Sequence, residues 1–278
     1  MELWWTEQQT PDQRIGLRCS AVLERRRSPY QEVAVYQTAQ YGRLLALDDV
    51  VMTTEADEFI YHEMLTHPAL LACPRPERVL IVGGGDGGAV REVCRHGAVR
   101  QIVLAELDGD VVDVCRRQLP GISCALDDPR VEIRIGDGVE FVAAAADASF
   151  DVILVDSPDP VGPATVLYGD GFYADCARVL APHGVLAAQS ESPVLLAPAL
   201  QRVQAAMRAA FPLVGLYLAP IPTYPSGLWS FSIASKGRPL DLPADVPALP
   251  TRYWSPAIQR AAFVLPPFVQ DLLREAGQ

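Results

Sequence analysis

Four carboxylates stand where an apolar run gives way to a loop: Asp86, Glu106, Asp137 and Asp156, with Asp159 close behind the last. The runs before them are Val79–Val82, Gln101–Ala105, Val131–Ile135 and Phe150–Val155. Val79–Val82 suits a strand buried on both faces; Gln101–Glu106 is expected as a second buried strand ending in an acid, Val131–Ile135 as a third strand and Phe150–Asp156 as a fourth. Parallel strands end along one edge of a sheet, and ligands bind beyond that edge. Acids gathered there repel one another unless a cation lies among them. A metal ion is one answer, but no histidine or cysteine joins the acids at these points. A polyamine is the other.

The loop that carries Asp86 narrows the choice. Gly83, Gly84, Gly85, Gly87 and Gly88 surround it, between an apolar run and the helix-like Ala89-Val90-Arg91-Glu92-Val93. The spacing Gly83-x-Gly85-x-x-Gly88 fits a dinucleotide fingerprint, although a tight turn alone would also use it. A carboxylate inside the loop would repel a pyrophosphate and attract a cation. A nucleoside bearing positive charge, such as a sulfonium, therefore fits better than NAD. Glu106 follows Gly85 by 21 residues, which places an acid at the end of the neighbouring strand for the ribose hydroxyls. It reads equally as an acidic helix entry, which Asp108 could share. Asp137, between Gly136 and Gly138, has room beside it for a flat ring, with an adenine amine as its natural partner.

Residues 1–53 look β-rich, with strand-like runs at Gln31–Tyr36 and Arg43–Leu47 punctuated by Gly42 and Asp48-Asp49. So short a segment has too little chain for its own core and must pack on the larger domain or on another subunit. Residues 54–278 alternate strand and helix patterns, which predicts an α/β domain with a mostly parallel sheet. A helix is expected over Thr54–Leu71, with Thr54 and Asp57 spaced as a capping box. On spacing alone, Tyr61 reads as half-buried and His62 as a surface histidine. Gln31 reads as an exposed amide at a strand entry. Beyond Asp156 the pattern predicts strands at Val185–Gln189, Leu213–Leu218 and Leu228–Ser235. Helices are expected over Leu195–Phe211, Ala257–Val264 and Pro266–Ala276.

The chain has 278 residues, half of them hydrophobic, and a formal net charge of −11. That balance argues against a nucleic-acid surface. The six cysteines are scattered without a CxxC pair and read as reduced thiols, and the four histidines lack zinc-ligand spacing. The start, Met-Glu-Leu-Trp-Trp-Thr-Glu, does not read as a signal peptide. No run reaches the length of a membrane span. A soluble, cytoplasmic protein without internal repeats is expected.

Four stretches together resemble one family, the spermidine synthases or polyamine aminopropyltransferases. They are Glu58-Phe59-Ile60-Tyr61-His62-Glu63-Met64, the loop Gly83-Gly84-Gly85-Asp86-Gly87-Gly88, Asp156-Ser157-Pro158-Asp159-Pro160-Val161-Gly162-Pro163, and Ile221-Pro222-Thr223-Tyr224-Pro225-Ser226-Gly227-Leu228-Trp229. The resemblance spans about Trp4 to about Leu273. It implies a Rossmann-like class I methyltransferase-type domain (54–278) behind a small N-terminal β domain (1–53), assembled as a homodimer or homotetramer. It implies transfer of the aminopropyl group of decarboxylated S-adenosylmethionine, a co-substrate, to putrescine. The products would be spermidine and 5′-methylthioadenosine, with no metal or cofactor. Carried over by position, Asp156 resembles the proton acceptor. His62, Asp86 and Asp159, with Tyr61 and Tyr224, resemble the polyamine site. Gln31, Glu106, Asp137, Gly138 and Pro163 resemble the nucleoside site. Met52 departs from a common glutamine, Asp49 from a common glycine, Pro158 from serine or threonine, and Tyr168 from phenylalanine. None of these removes a catalytic carboxylate.

The chemistry agrees with the residues. An amine displaces sulfur at a carbon made electrophilic by the sulfonium, and must first shed a proton although its pKa lies near about 10. A carboxylate in reach can take that proton, and alignment supplies the rest. Two rivals share the fold: a methyltransferase using S-adenosylmethionine, against which Asp86 weighs, and a non-enzymatic nucleoside-binding scaffold. Cadaverine, agmatine or spermidine could replace putrescine. Trp229 could wall the amine, but reads rather as core filler.

Overall fold

The computed structural model describes residues 2–157, 169–237, 239–240, 242, 246 and 248–276; Pro158, Asp159, Pro163 and Tyr168 lie outside them. Two sheets organise the chain. The first is antiparallel, in the order β1 (Leu3–Thr10), β2 (Gln13–Arg27), β3 (Glu32–Thr38), β4 (Arg43–Leu47), β5 (Val50–Thr54). Alternate residues of β3 serve two cores. Val33 and Val35 pack on Val111, Val114 and Cys115 of the larger unit, while Ala34 and Tyr36 pack with Trp5 and Leu44. The N-terminal segment thus packs on the larger domain, as its length requires. The β4–β5 turn places Asp48 and Asp49 at φ 47° and 63°, a left-handed pair that suits two-residue hairpins.

The second sheet is mostly parallel, in the order β11 (Leu213–Pro220), β12 (Leu228–Ser235), β10 (Leu180–Gln189), β9 (Phe150–Asp156), β6 (Arg78–Gly83), β7 (Gln101–Glu106), β8 (Val131–Ile135). β12 runs antiparallel to both its neighbours. Helices α1 (Glu58–Ala72), α2 (Gly88–Cys94), α3 (Gly109–Gln118), α4 (Gly138–Ala144), α5 (Asp170–Val179) and α6 (Ala197–Ala210) connect the strands or precede them. Helices α7 (Pro256–Ala262) and α8 (Pro267–Glu275) close the chain. From β6 the chain steps outward to β7 and β8, then returns to the other side of β6 as β9. The direction of winding therefore switches between β6 and β9, where Gly83 pairs with Asp156. An open α/β sheet offers its ligand crevice at such a point.

Two expectations fail locally. Helix α1 starts at Glu58, not Thr54, and the capping box does not form. Thr54 donates to Asp57 Oδ1 at 2.6 Å, and Asp57 Oδ2 accepts from the backbone and hydroxyl of Thr223 at 3.0 and 2.7 Å. Asp57 serves the distant loop instead of the helix. Helix α1 is also buried on nearly every side, so Tyr61 is only 5% exposed and His62 only 2%. Neither the half-buried tyrosine nor the surface histidine exists. Among the described residues no helix is long and apolar enough to cross a membrane.

Candidate active site

The glycine loop brings the backbone against two acids. Gly83 and Gly84 adopt φ of 79° and 74°, and a Cβ on Gly84 would lie 2.8 Å from Asp156 Oδ2. Only glycine fits both the left-handed backbone and that approach. Asp86 Oδ1 accepts from the Gly88 backbone at 2.8 Å, and its Oδ2 faces His62 Nε2 at 3.3 Å. The imidazole lies so close to the loop that a Cβ on Gly88 would be 2.2 Å from its Cε1.

His62, Asp86 and Asp156 present ligating atoms within 4.8 Å of one another. The expectation that no histidine joins the acids is therefore overturned: helix α1 delivers one from 24 residues before Asp86. It also supplies the missing cation. Burial pushes His62 down, but the charge of Asp86, hydrogen bonds to Asp86 and Glu58, and the charge of Glu58 hold it well above 6.5. Burial likewise pushes Asp86 up, and the facing imidazolium holds it below the ordinary carboxylate value. Two carboxylates at such a separation would repel by about 3 kcal/mol at an effective dielectric of about 20; the imidazolium offsets much of that.

Asp156 is placed differently. Its Oδ1 accepts from the Tyr61 hydroxyl at 2.7 Å, while its buried Oδ2 has no hydrogen-bond partner among the described residues. Burial lifts this carboxyl from 3.8 to about 6, helped by the charge of Asp86 and opposed by His62 and the Tyr61 hydrogen bond. A buried carboxylate oxygen with a lone pair not engaged in a hydrogen bond can accept a proton.

Glu106 ends β7 and binds both neighbouring loops. Its Oε2 accepts from the Gly85 backbone at 3.0 Å and its Oε1 from Asp108 at 2.9 Å. Burial raises it to about 7 against these two hydrogen bonds, with Asp108 and Asp156 adding repulsion. It is more than a helix entry: Asp108 is the residue that caps α3, accepting from Asp110. Gln31 donates to Asp108 Oδ2 at 3.0 Å, so it is an anchored amide that brings the N-terminal sheet to this side of the crevice. The Gly136 backbone donates to the Glu106 carbonyl at 2.9 Å, which sets Asp137 and Gly138 beside it. Asp137 spends Oδ1 capping α4 through Val139 and Glu140, and Gly138 lets α4 start against Val82.

Tyr224 and Trp229 complete a cavity with Tyr61, Met52 and Glu7. The Tyr224 ring lies 5.7 Å from that of Tyr61 and 4.8 Å from that of Trp229, and its hydroxyl donates to the Met52 carbonyl at 2.5 Å. Trp229, only 3% exposed, is both core and cavity wall. Asp159 and Pro163 lie outside the described residues.

Comparison with known proteins decides the family. Residues 58–242 match the spermine/spermidine synthase domain, and residues 3–55 match the spermidine synthase tetramerisation domain. The chain belongs to the spermidine synthase family. It is 47% identical to the polyamine aminopropyltransferase of Moorella thermoacetica, over 98% of this chain and 96% of that one. The relative of the same name in Thermoanaerobacter sp. (strain X514) is 45% identical, over 99% and 100%. A crystal structure of spermidine synthase in complex with the transition-state analogue AdoDATO superposes with a TM-score of 0.94 at 36% identity, covering 98% of this chain and 95% of that one. The Thermotoga maritima spermidine synthase gives 0.90 at 34%, covering 98% and 94%. The chain is thus an aminopropyltransferase with the Rossmann-like fold of that family.

Three residues of this aminopropyltransferase's site went unnoticed in the sequence. Glu7, on β1, is 4% exposed, lines the cavity and accepts from the Val51 backbone at 2.8 Å. Glu58 holds His62 Nδ1 from behind, and Arg91 holds Glu58. The Glu58–His62 spacing of four is a legible helix-face signal, whereas Glu7 and Arg91 meet the site only through the fold.

Proposed function

We propose that this enzyme transfers the aminopropyl group of decarboxylated S-adenosylmethionine to putrescine, giving spermidine and 5′-methylthioadenosine. The observation that carries this reading is Asp156 Oδ2: buried, unpartnered among the described residues, and beside an imidazolium–carboxylate pair. Asp156 takes one proton from the attacking ammonium. The freed nitrogen lone pair then forms the new C–N bond as the C–S bond breaks, and the electron pair leaves on sulfur as a neutral thioether. Lifting the carboxyl from 3.8 to about 6 narrows its gap to an alkylamine by about 3 kcal/mol. Asp86, His62, Tyr61 and Tyr224 line the amine side, and the family motif that carries Asp159 assigns that acid to the amine as well. Glu106 receives the ribose hydroxyls, Asp137 and Gly138 the adenine edge, and Gln31 closes the nucleoside side, to which the family motif assigns Pro163 as well. Glu7 and the aromatic faces of Tyr224 and Trp229 suit the far ammonium of a diamine.

No metal takes part in this reading. His62 has Glu58 on Nδ1 and Asp86 on Nε2 and is held charged; an imidazolium has no lone pair for a metal. The six free thiols suit a reducing, cytoplasmic setting, and the N-terminal domain supports a homo-oligomer, a dimer or tetramer. The test is one assay: decarboxylated S-adenosylmethionine with a panel of diamines and n-butylamine, products identified by mass. Putrescine should give spermidine with the highest kcat/KM, and butylamine, lacking the second charge, should react poorly. Asp156→Asn should cut turnover by at least about a hundredfold, the range for a lost general base, with methylthioadenosine affinity retained. Full turnover in that variant removes Asp156 from the mechanism.

A further inference from the structure

His62 is held from behind by a buried relay that reaches away from the crevice. Glu58 sits one helical turn before it, 6% exposed, and accepts from His62 Nδ1 at 2.6 Å. The same carboxylate is gripped by both terminal nitrogens of Arg91, at 3.0 and 2.8 Å. Arg91 is held in turn by Glu92, whose Oε1 accepts from its Nε at 2.8 Å. Helix α1 and helix α2 are thereby joined through one carboxylate that faces two cations. Buried charges are retained at such cost only with close partners, and a carboxylate on one imidazole nitrogen fixes what the other nitrogen presents.

We propose that Glu58, locked by Arg91, is a positioning residue of aminopropyl transfer: it keeps His62 a doubly protonated, fixed donor to Asp86, so that Asp86 stays ionised beside Asp156. The groups facing His62 are Glu58 from its own helix, the Tyr61 ring edge-on at 5.3 Å, Asp86 from the glycine loop and Asp156 from β9, with Arg91 behind Glu58. Remove the charge of Glu58 and one of the two anions that hold the imidazolium is gone. His62 then sheds its proton at lower pH, Asp86 loses its cation, and Asp86 and Asp156 oppose each other's ionisation. The amine side suffers, whereas the Gln31–Asp108–Glu106 side does not touch this relay.

The inference rests on placing His62 and Asp86 at the amine, so the first measurement does not depend on that placement. NMR of the imidazole carbons and nitrogens in the wild-type free enzyme should show His62 charged throughout about pH 5 to 8, the range in which an ordinary histidine titrates. A His62 that titrates there overturns the proposal with no variant needed. Glu58→Gln should bring the titration into that range. It should also lower kcat/KM for the amine by about tenfold or more, in the manner of other partners that orient a functional histidine, with a new loss of activity on the alkaline side. Methylthioadenosine affinity should stay within twofold, and Glu58→Asp should restore the wild-type shape of the pH profile. A Glu58→Gln profile that is merely scaled down, with His62 still charged, means that Glu58 is structural only.

Discussion

Glu106→Gln tests the nucleoside side through stability as well as binding. Glu106 is 9% exposed, and burial lifts it from 4.5 to about 7 in the folded protein. In the unfolded chain it returns to its ordinary value. Between those limits the folded state holds a proton that the unfolded state has lost, so stability falls as pH rises through the window. The whole effect is 2.5 times 1.36, or about 3.4 kcal/mol, of which about 2.5 kcal/mol falls between about pH 5 and pH 8. Glutamine has no such titration. It does forfeit one of the two backbone hydrogen bonds from Gly85 and Asp108, a loss of about 1–3 kcal/mol that is the same at every pH. The signal is therefore the gap in Tm between the two proteins, not either Tm alone. At roughly 2 °C per kcal/mol for a chain of this size, the variant should gain about 5 °C on the wild type between the two ends of the range. Thermal melts of the ligand-free proteins in matched buffers measure it. The wild type should also bind methylthioadenosine more weakly as pH falls below about 7, by up to tenfold per pH unit, while the variant binds weakly at every pH. A Tm gap that stays constant would refute the burial argument, and an unchanged affinity would remove Glu106 from the ribose.

Tyr61→Phe removes the hydrogen bond that holds Asp156 down; its acid limb in kcat/KM, expected near pH 6, should move up by about one pH unit, since a hydrogen bond to a charged group is worth about 1.5 kcal/mol or more. A limb that does not move means that Asp156 is not the titrating base. Gly88→Ala drives a Cβ to 2.2 Å from His62 Cε1, and should destabilise the protein by about 1–3 kcal/mol while lowering kcat/KM for the amine. A variant with wild-type kinetics would show that the imidazole can move without consequence.

The sequence was most legible where the pattern is local. The strands expected at Gln101–Glu106, Val131–Ile135 and Phe150–Asp156 have those bounds in the structure: the first and third are largely aliphatic runs buried in the sheet, and the second is an alternating Val-Glu-Ile-Arg-Ile edge strand, half-buried to exposed rather than buried on both faces. Both N-terminal strands that escaped notice, β1 and β2, are long and mostly exposed, and irregularities at Gln8/Thr10 in β1 and at Cys19/Ala21 and Val22/Glu24 in β2 break the alternation that would have marked them. The helix cap failed because Thr223, 166 residues away, competes for Asp57. His62 was misread for a related reason: spacing along one helix cannot show that Asp86 and, through Glu58, Arg91 will bury and charge it. Gln31 looked like a surface amide because its partner, Asp108, lies 77 residues on.

The acids divide into two kinds, and the division follows from where cations stand. Asp86 has His62 within 3.3 Å, and the imidazolium holds its carboxyl below the ordinary value. Asp156 and Glu106 have no such partner at that distance among the described residues and are lifted to about 6 and about 7 by burial. The protein's own groups therefore leave the two carboxyls that flank the strand switch short of positive charge. The proposed substrates, a sulfonium nucleoside and a diammonium acceptor, would bring that charge, and the dry surroundings that penalise the bare carboxylates strengthen their attraction for an arriving cation. On the proposed reading, binding draws Asp156 toward its ionised form, the form a proton acceptor needs, while the ammonium beside it is the acid that must give a proton up. S-Adenosylmethionine would add a carboxylate to a crevice already crowded with acids. His62 softens that clash at Asp86 but leaves it at Asp156 and Glu106, so the arrangement favours the decarboxylated donor.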